Sequence, residues 1–186
     1  MKLSPVRLSF FCILLFISFP RLYPQTIHDT SGNIPADAVK GDFNGDGKIE
    51  FMWLIPPTID STGMACIGNC SSTIHFSDTS IPSIFIDQCI GGDPVNLGDL
   101  NRNGSHEVGL LQDWFTSCWM NYHVWTLKNG KWVDAVKPFP THCVQWEQRG
   151  IPIEMDSTRK GFVKIYISEN SGDGIVTRMR SVAIVK

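Results

Sequence analysis

Short runs rich in Val, Ile and aromatic residues alternate along this chain with clusters of Gly, Pro, Asn and Asp. Such runs, bounded by turn residues, read as β-strands. The pattern predicts strands over 49–55, 83–87, 107–112, 121–127, 132–136, 161–168 and 175–185. Between two of them stands Asn129-Gly130, the dipeptide that supplies the two positive-φ positions of a type I′ hairpin turn. Asn170 to Gly174 predicts a looser turn between the last two strands. No stretch of 12 or more residues keeps a helical period. Pro56, Pro57, Pro82, Pro94, Pro138, Pro140 and Pro152 interrupt any helix. The expected fold is all-β and antiparallel.

The N-terminal residues carry a different pattern. Lys2 and Arg7 precede an apolar run from Leu8 to Phe19, too short to span a bilayer. Residues 1–25 therefore read as a signal peptide, with Pro20 to Gln25 as the cleavage zone, against the alternative of a buried helix. No later segment reaches 18 consecutive apolar residues, so the expected mature chain is a single soluble domain, 26–186. The expected location is secreted, extracellular or periplasmic.

Composition changes the picture in two ways. At 42% hydrophobic and 18% charged, the 186 residues have enough apolar content for a core, unlike a disordered chain. From residue 26 onward there are 13 basic and 18 acidic residues, a charge of −5 with no Lys/Arg cluster. That argues against a phosphate-tracking nucleic-acid binder and suits cation binding.

Export makes disulfides possible. Beyond Cys12 the candidates are Cys66, Cys70, Cys89, Cys118 and Cys143, an odd set that allows at most two bridges. Cys66 and Cys70 bracket a short loop, and Cys118 and Cys143 flank the predicted hairpin. A zinc set of Cys66, Cys70, His75 and Cys89 is the alternative, with irregular spacing.

Two segments match across the chain. Gly41-Asp42-Phe43-Asn44-Gly45-Asp46-Gly47-Lys48-Ile49-Glu50 returns 57 positions later as Gly98-Asp99-Leu100-Asn101-Arg102-Asn103-Gly104-Ser105-His106-Glu107. A further step of 57 reaches Asp156, where Asp156 and Gly161 keep their places but Lys160 and Lys164 replace the other polar positions. This is either a third unit that has lost its site or a coincidence of two residues. Spaced units of this size point to a propeller or an array.

The paired loops carry cation chemistry. Counted from Asp42, positions 1, 3, 5 and 9 are Asp42, Asn44, Asp46 and Glu50, with Gly47 at the tight turn and Lys48 offering its backbone carbonyl. The second set is Asp99, Asn101, Asn103, Ser105 and Glu107, with two carboxylates instead of three. Alternate oxygen donors around a Gly suit calcium, which takes six to eight oxygens in irregular geometry, better than magnesium. Fewer carboxylates predict weaker binding in the second loop. An EF-hand is excluded, because its twelfth position falls on Trp53 or Leu110 and a strand follows instead of a helix. The alternative is a pair of ordinary Asp/Asn/Gly turns without metal.

Gly41-Asp42-Phe43-Asn44-Gly45-Asp46-Gly47 followed by a strand resembles the FG-GAP/VCBS repeat, the calcium-loop repeat of integrin α-chain propellers and of many secreted bacterial proteins. The resemblance implies propeller-blade-like units with calcium loops on one face. The chain has room for about three such units, whereas closed propellers have four to eight blades. A partial propeller, another form of closure, or oligomerisation would follow.

Other signals are weaker. Trp114, Phe115, Trp119, Tyr122 and Trp125 either fill a β core or stack on sugar rings. His106 and His123 read as packing or surface residues. Neither a nucleophile elbow, a zinc-protease helix motif nor a phosphate loop occurs. Glu147 and Glu154 are unplaced acids. The expected function is a secreted calcium-binding module with a structural or recognition role, partnered by an extracellular protein or carbohydrate, and not an enzyme. The alternatives are a small carbohydrate-active hydrolase or accessory carbohydrate-binding domain, and an assembly subunit pairing through exposed strand edges.

Overall fold

A computed structural model describes residues 34–186. The signal-peptide reading of 1–25 lies outside these residues. The described chain folds into three antiparallel sheets laid down in sequence order. The first holds β1 (Val39–Gly41), β2 (Glu50–Ile55), β3 (Ser71–Phe76) and β4 (Ile84–Asp87). The second holds β5 (Pro94–Asn96), β6 (Val108–Leu111), β7 (Trp119–Lys128) and β8 (Lys131–His142). The third holds β9 (Ile153–Met155), β10 (Phe162–Asn170) and β11 (Ile175–Ala183). The all-β antiparallel architecture is the one the sequence predicts. One short helix, α1 (Cys143–Arg149), joins the second sheet to the third.

Alternation sets which side chains enter the core. On β2 and β3, Met52 pairs with Phe76 and Leu54 with Ile74 on the inner face, while Trp53 and His75 pair on the outer face. Phe43, Met52, Ile74, Phe76, Ile84 and Ile86 pack against Val108, Leu110 and Trp125 of the second sheet. On its other side, Tyr122, Val124, Val136 and Phe139 pack against Val163, Ile165 and Ile167 of the third. The second sheet is thus covered on both faces. That is why Val108, Gly109 and Leu110 are buried in succession instead of alternately. Burial of each large aliphatic chain contributes about 1.5–3 kcal/mol.

Asn129 (φ 52°) and Gly130 (φ 70°) both adopt the left-handed region, as the predicted hairpin requires. β8 continues to His142, past the sequence expectation of 136, and accommodates Pro138 and Pro140. It does so because it is the edge strand of its sheet, where a missing N–H costs no ladder bond. The disulfides are Cys66–Cys70 and Cys118–Cys143, and Cys89 is a buried free thiol donating to the Gly91 carbonyl. The zinc set is not assembled. Two of its cysteines are bridged, and His75 stacks on Trp53 and faces Ser83. Among the described residues no helix is long and apolar enough to cross a membrane.

Candidate metal centre

The 57-residue spacing has a topological counterpart. Asp42 starts the turn between β1 and β2, Asp99 lies in the turn between β5 and β6, and Asp156 starts the turn between β9 and β10. Each turn joins the first and second strands of its sheet.

In the first turn the Asp42 carboxylate accepts three backbone N–H groups. Oδ1 takes Gly45 (2.8 Å) and Asp46 (3.1 Å), and Oδ2 takes Gly47 (2.9 Å). Asn44 Oδ1 accepts from the Asp46 N–H at 2.9 Å, and Asp46 Oδ1 from the Lys48 N–H at 2.8 Å. The chain can curl this tightly because Gly47 takes φ 82°, where a side chain would be strained. Glu50, at the head of β2, folds its carboxylate back so that Oε2 accepts from the Phe43 N–H at 2.8 Å. Carboxylate oxygens of Asp42, Asp46 and Glu50 therefore converge, all within 4.8 Å of one another.

The second turn repeats this pattern. Asp99 accepts from the N–H groups of Asn103 (2.9 Å) and Gly104 (3.0 Å). Asn101 Oδ1 accepts from Asn103 N–H, and Asn103 Oδ1 from both the N–H and the hydroxyl of Ser105. Glu107 Oε2 accepts from the N–H groups of Leu100 (2.6 Å) and Asn101 (3.2 Å), the first of these matching the Phe43 N–H to Glu50 Oε2 one unit earlier. The Asn101 amide donates to Thr126 Oγ1 and to the Val185 carbonyl, tying this turn to the C-terminal end of the chain.

The electrostatics of the two turns differ. Backbone and side-chain hydrogen bonds from Lys48 hold the Asp46 carboxyl below the usual range, and its Oδ2 pairs with Lys48 Nζ at 3.0 Å. Burial raises Glu50, against the pull of the Phe43 N–H. Glu107 is fully buried, and that burial pushes its carboxyl up to about 7. Thr126 and the Leu100 and Asn101 N–H groups offset only part of this rise. Its second oxygen, Oε1, is buried without any group in hydrogen-bonding geometry. A buried acceptor left unpaired costs about 1–3 kcal/mol, more if charged, so a positive partner fits here.

The donor set is all oxygen, two to three of them carboxylate, which is the chemistry a calcium ion selects. Asp42 Oδ2, Asp46 Oδ1 and Glu50 Oε2 each accept one N–H and so retain a second lone pair for a metal, and Glu107 Oε1 accepts none. Lys48 Nζ sits on an exposed side chain and can swing away from Asp46 at little cost.

The third turn uses its Asp differently. Asp156 Oδ1 accepts from the Thr158 N–H and hydroxyl, and Oδ2 from the Ser181 hydroxyl at 2.7 Å. These bonds lower its carboxyl to about 2. Lys160 and Lys164 stand where the other turns have Asp46/Asn103 and Glu50/Glu107. This turn is closed by hydroxyls and brings no further carboxylate to Asp156.

His106, which the sequence marks only as a packing or surface residue, packs between the two turns. Its N–H donates to the Asp42 carbonyl at 2.8 Å, and its ring Nδ1 accepts from the Asp42 N–H at 3.3 Å. The two candidate sites are therefore neighbours. Gly45 backs onto Gly104 so closely that a Cβ there would lie 3.2 Å from the Gly104 carbonyl carbon. The aromatic row is divided: Tyr122 and Trp125 are core residues, while Trp114 is half-buried and Trp119 exposed. Glu154 accepts a hydrogen bond from the Tyr166 hydroxyl, and Glu147 is exposed on α1.

Comparisons with protein-family models, with curated proteins and with solved structures find no match for this chain.

Proposed function

We propose that this protein is an exported, calcium-stabilised all-β module of three blade-like units, with a binding or structural role and no catalytic one. The observation that carries the reading is the convergence of Asp42, Asp46 and Glu50; one unit later the same hydrogen-bonded turn recurs, with the Glu107 Oε1 beside it buried and unpaired. In the first turn the ligands are the side chains of Asp42, Asn44, Asp46 and Glu50 with the Lys48 carbonyl. In the second they are Asp99, Asn101, Asn103 and Glu107 with Ser105.

Bound calcium would neutralise carboxylates that the fold has drawn together and would tie each turn to the head of its second strand. The ion's role is then to hold β1 against β2 and β5 against β6. The two disulfides support an oxidising location outside the cytoplasm. The FG-GAP/VCBS resemblance agrees with turns placed between the first two strands of successive sheets.

Calorimetric titration of the metal-free protein with calcium tests the reading. Two ions per chain are expected, with Asp46→Asn abolishing the tighter site and Asp99→Asn the weaker. Titration without heat, or heats unchanged in both variants, would refute it.

A further inference from the structure

At the other end of β6 from Glu107 lies a groove of about 140 Å3, lined by Gln88, Gln112, Trp114, Trp119, Met120 and Asn121. Five residues of strand separate Glu107 from Gln112, roughly 16 Å at the strand rise. The groove is thus a separate place from the calcium turns.

The groove is held rigidly. The Gln112 amide donates to the Asp87 and Gln88 carbonyls, and Gln112 Oε1 lies 2.9 Å from His123 Nε2. The segment bearing Trp114 and Trp119 is closed by the Cys118–Cys143 bridge, and the Cys143 N–H donates to the Cys118 carbonyl. Ser117 Oγ donates to the Trp119 carbonyl at 2.8 Å. Trp114 and Phe115 pack edge to face with ring centroids 5.1 Å apart, and Trp119 and His142 do so at 4.9 Å.

Strain is concentrated at the same place. Gln88 (φ 51°) and Phe115 (φ 33°) are two of the four non-glycine residues in the left-handed region among the described residues. The other two sit in the second candidate metal turn and in the type I′ hairpin. Non-glycine residues keep such conformations where the surrounding structure fixes them, often at binding sites.

The lining chemistry selects a ligand class. Trp119 is 43% exposed, so its indole is available at the surface. Gln88 and Asn121 are exposed in the lining, so two amide side chains able to donate and accept stand beside two indoles. Lys and Arg are absent from the lining, and Asp87 and Asp113 adjoin it in sequence, which disfavours anions. A flat ring with one apolar face and equatorial hydroxyls satisfies such a set: the face lies on an indole and the hydroxyls meet the amides.

We propose that this groove binds a neutral sugar ring of a glycan. The proposal gives the recognition role a ligand class, and it does not require calcium in the turns.

The test is tryptophan fluorescence and calorimetric titration of the mature, disulfide-intact protein. The probes are glucose, galactose, mannose and N-acetylglucosamine, and their α- and β-linked oligosaccharides. Saturable binding to at least one neutral glycan is expected. Trp119→Ala should weaken it about tenfold or more. Asn121→Ala, on an exposed side chain, should weaken it severalfold without lowering Tm. If Trp119→Ala disturbs the fold, Trp119→Phe and Asn121→Ala carry the test. Binding should persist in Asp46→Asn, which separates this site from the calcium reading. Absence of binding to every neutral glycan at millimolar concentration would overturn the proposal. So would affinity unchanged in Asn121→Ala and in both Trp119 variants.

Discussion

Asp42 and His106, 64 positions apart, are joined by two hydrogen bonds: the His106 N–H to the Asp42 carbonyl, and the Asp42 N–H to the His106 ring. Asn96 Nδ2 lies 3.0 Å from the same ring nitrogen and donates to the Lys40 carbonyl. The residue that starts the first candidate metal turn is therefore positioned by the second. His106→Ala removes the ring's bond to Asp42 and should cost about 1 kcal/mol of stability. It should also weaken calcium at the first turn severalfold, although His106 is not a proposed ligand. Denaturant unfolding and calcium titration of the variant check both effects.

Glu107 predicts a pH dependence specific to the metal-free protein. Its carboxyl titrates near 7 in the fold and near 4.5 when unfolded. Between those values the folded state holds a proton that the unfolded state has released, so this contribution to stability falls as pH rises. Above about 7 the cost is complete, at most about 3 kcal/mol. In chelator, Glu107→Gln should flatten the difference in unfolding free energy between pH 5 and pH 8. With calcium present the wild type should lose that slope, because the ion pairs the charge.

Asp156 has the opposite sign. Hydrogen bonds from Thr158 and Ser181 depress its carboxyl to about 2, so its contribution is present above the unfolded value of 3.8 and is lost as pH falls towards 2. Asp156→Ala should lower Tm by several degrees at neutral pH and by little at pH 2. It should leave calcium stoichiometry unchanged, since this turn supplies no ligand set.

The Cys118–Cys143 bridge closes a loop containing the whole of β7 and β8. Loop-closure entropy for a separation of 25 corresponds to about 3.5 kcal/mol, and replacing both cysteines by serine should lower stability by about that much. The same change frees the segment carrying Trp114 and Trp119 and should reduce glycan affinity in the folded variant. Denaturant titration and fluorescence measure the two effects.

Much of the fold is legible in the sequence because half-buried strands alternate and turns are punctuated by Gly, Pro and Asn. The longer strands and the Asn129-Gly130 hairpin follow from local pattern and spacing, whereas the pairing of the five cysteines stays open until the structure brings Cys66 to Cys70 and Cys118 to Cys143. β1, β5 and β9 do not, since three residues carry too little periodicity. β3 is hidden because its inner face includes Ser72, whose hydroxyl bonds the Cys89 carbonyl inside the core. α1 is seven residues long and is set by the His142 cap. The candidate ligands are readable from one segment and its repeat. His106 is not, because its partner lies far along the chain. The aromatic row cannot be divided by sequence alone: tertiary packing buries Tyr122 and Trp125 and leaves Trp119 at the groove.

Thermal unfolding of the mature protein in calcium, in chelator and in magnesium addresses the central claim most directly. A ligand at a hundredfold excess over Kd stabilises the fold it binds by about 2.7 kcal/mol. The expected result is a rise in Tm on the order of 5–10 °C in calcium, small in magnesium and reduced in Asp46→Asn. Coincident transitions in calcium and chelator would contradict a structural metal and leave both turns as hydrogen-bonded loops alone.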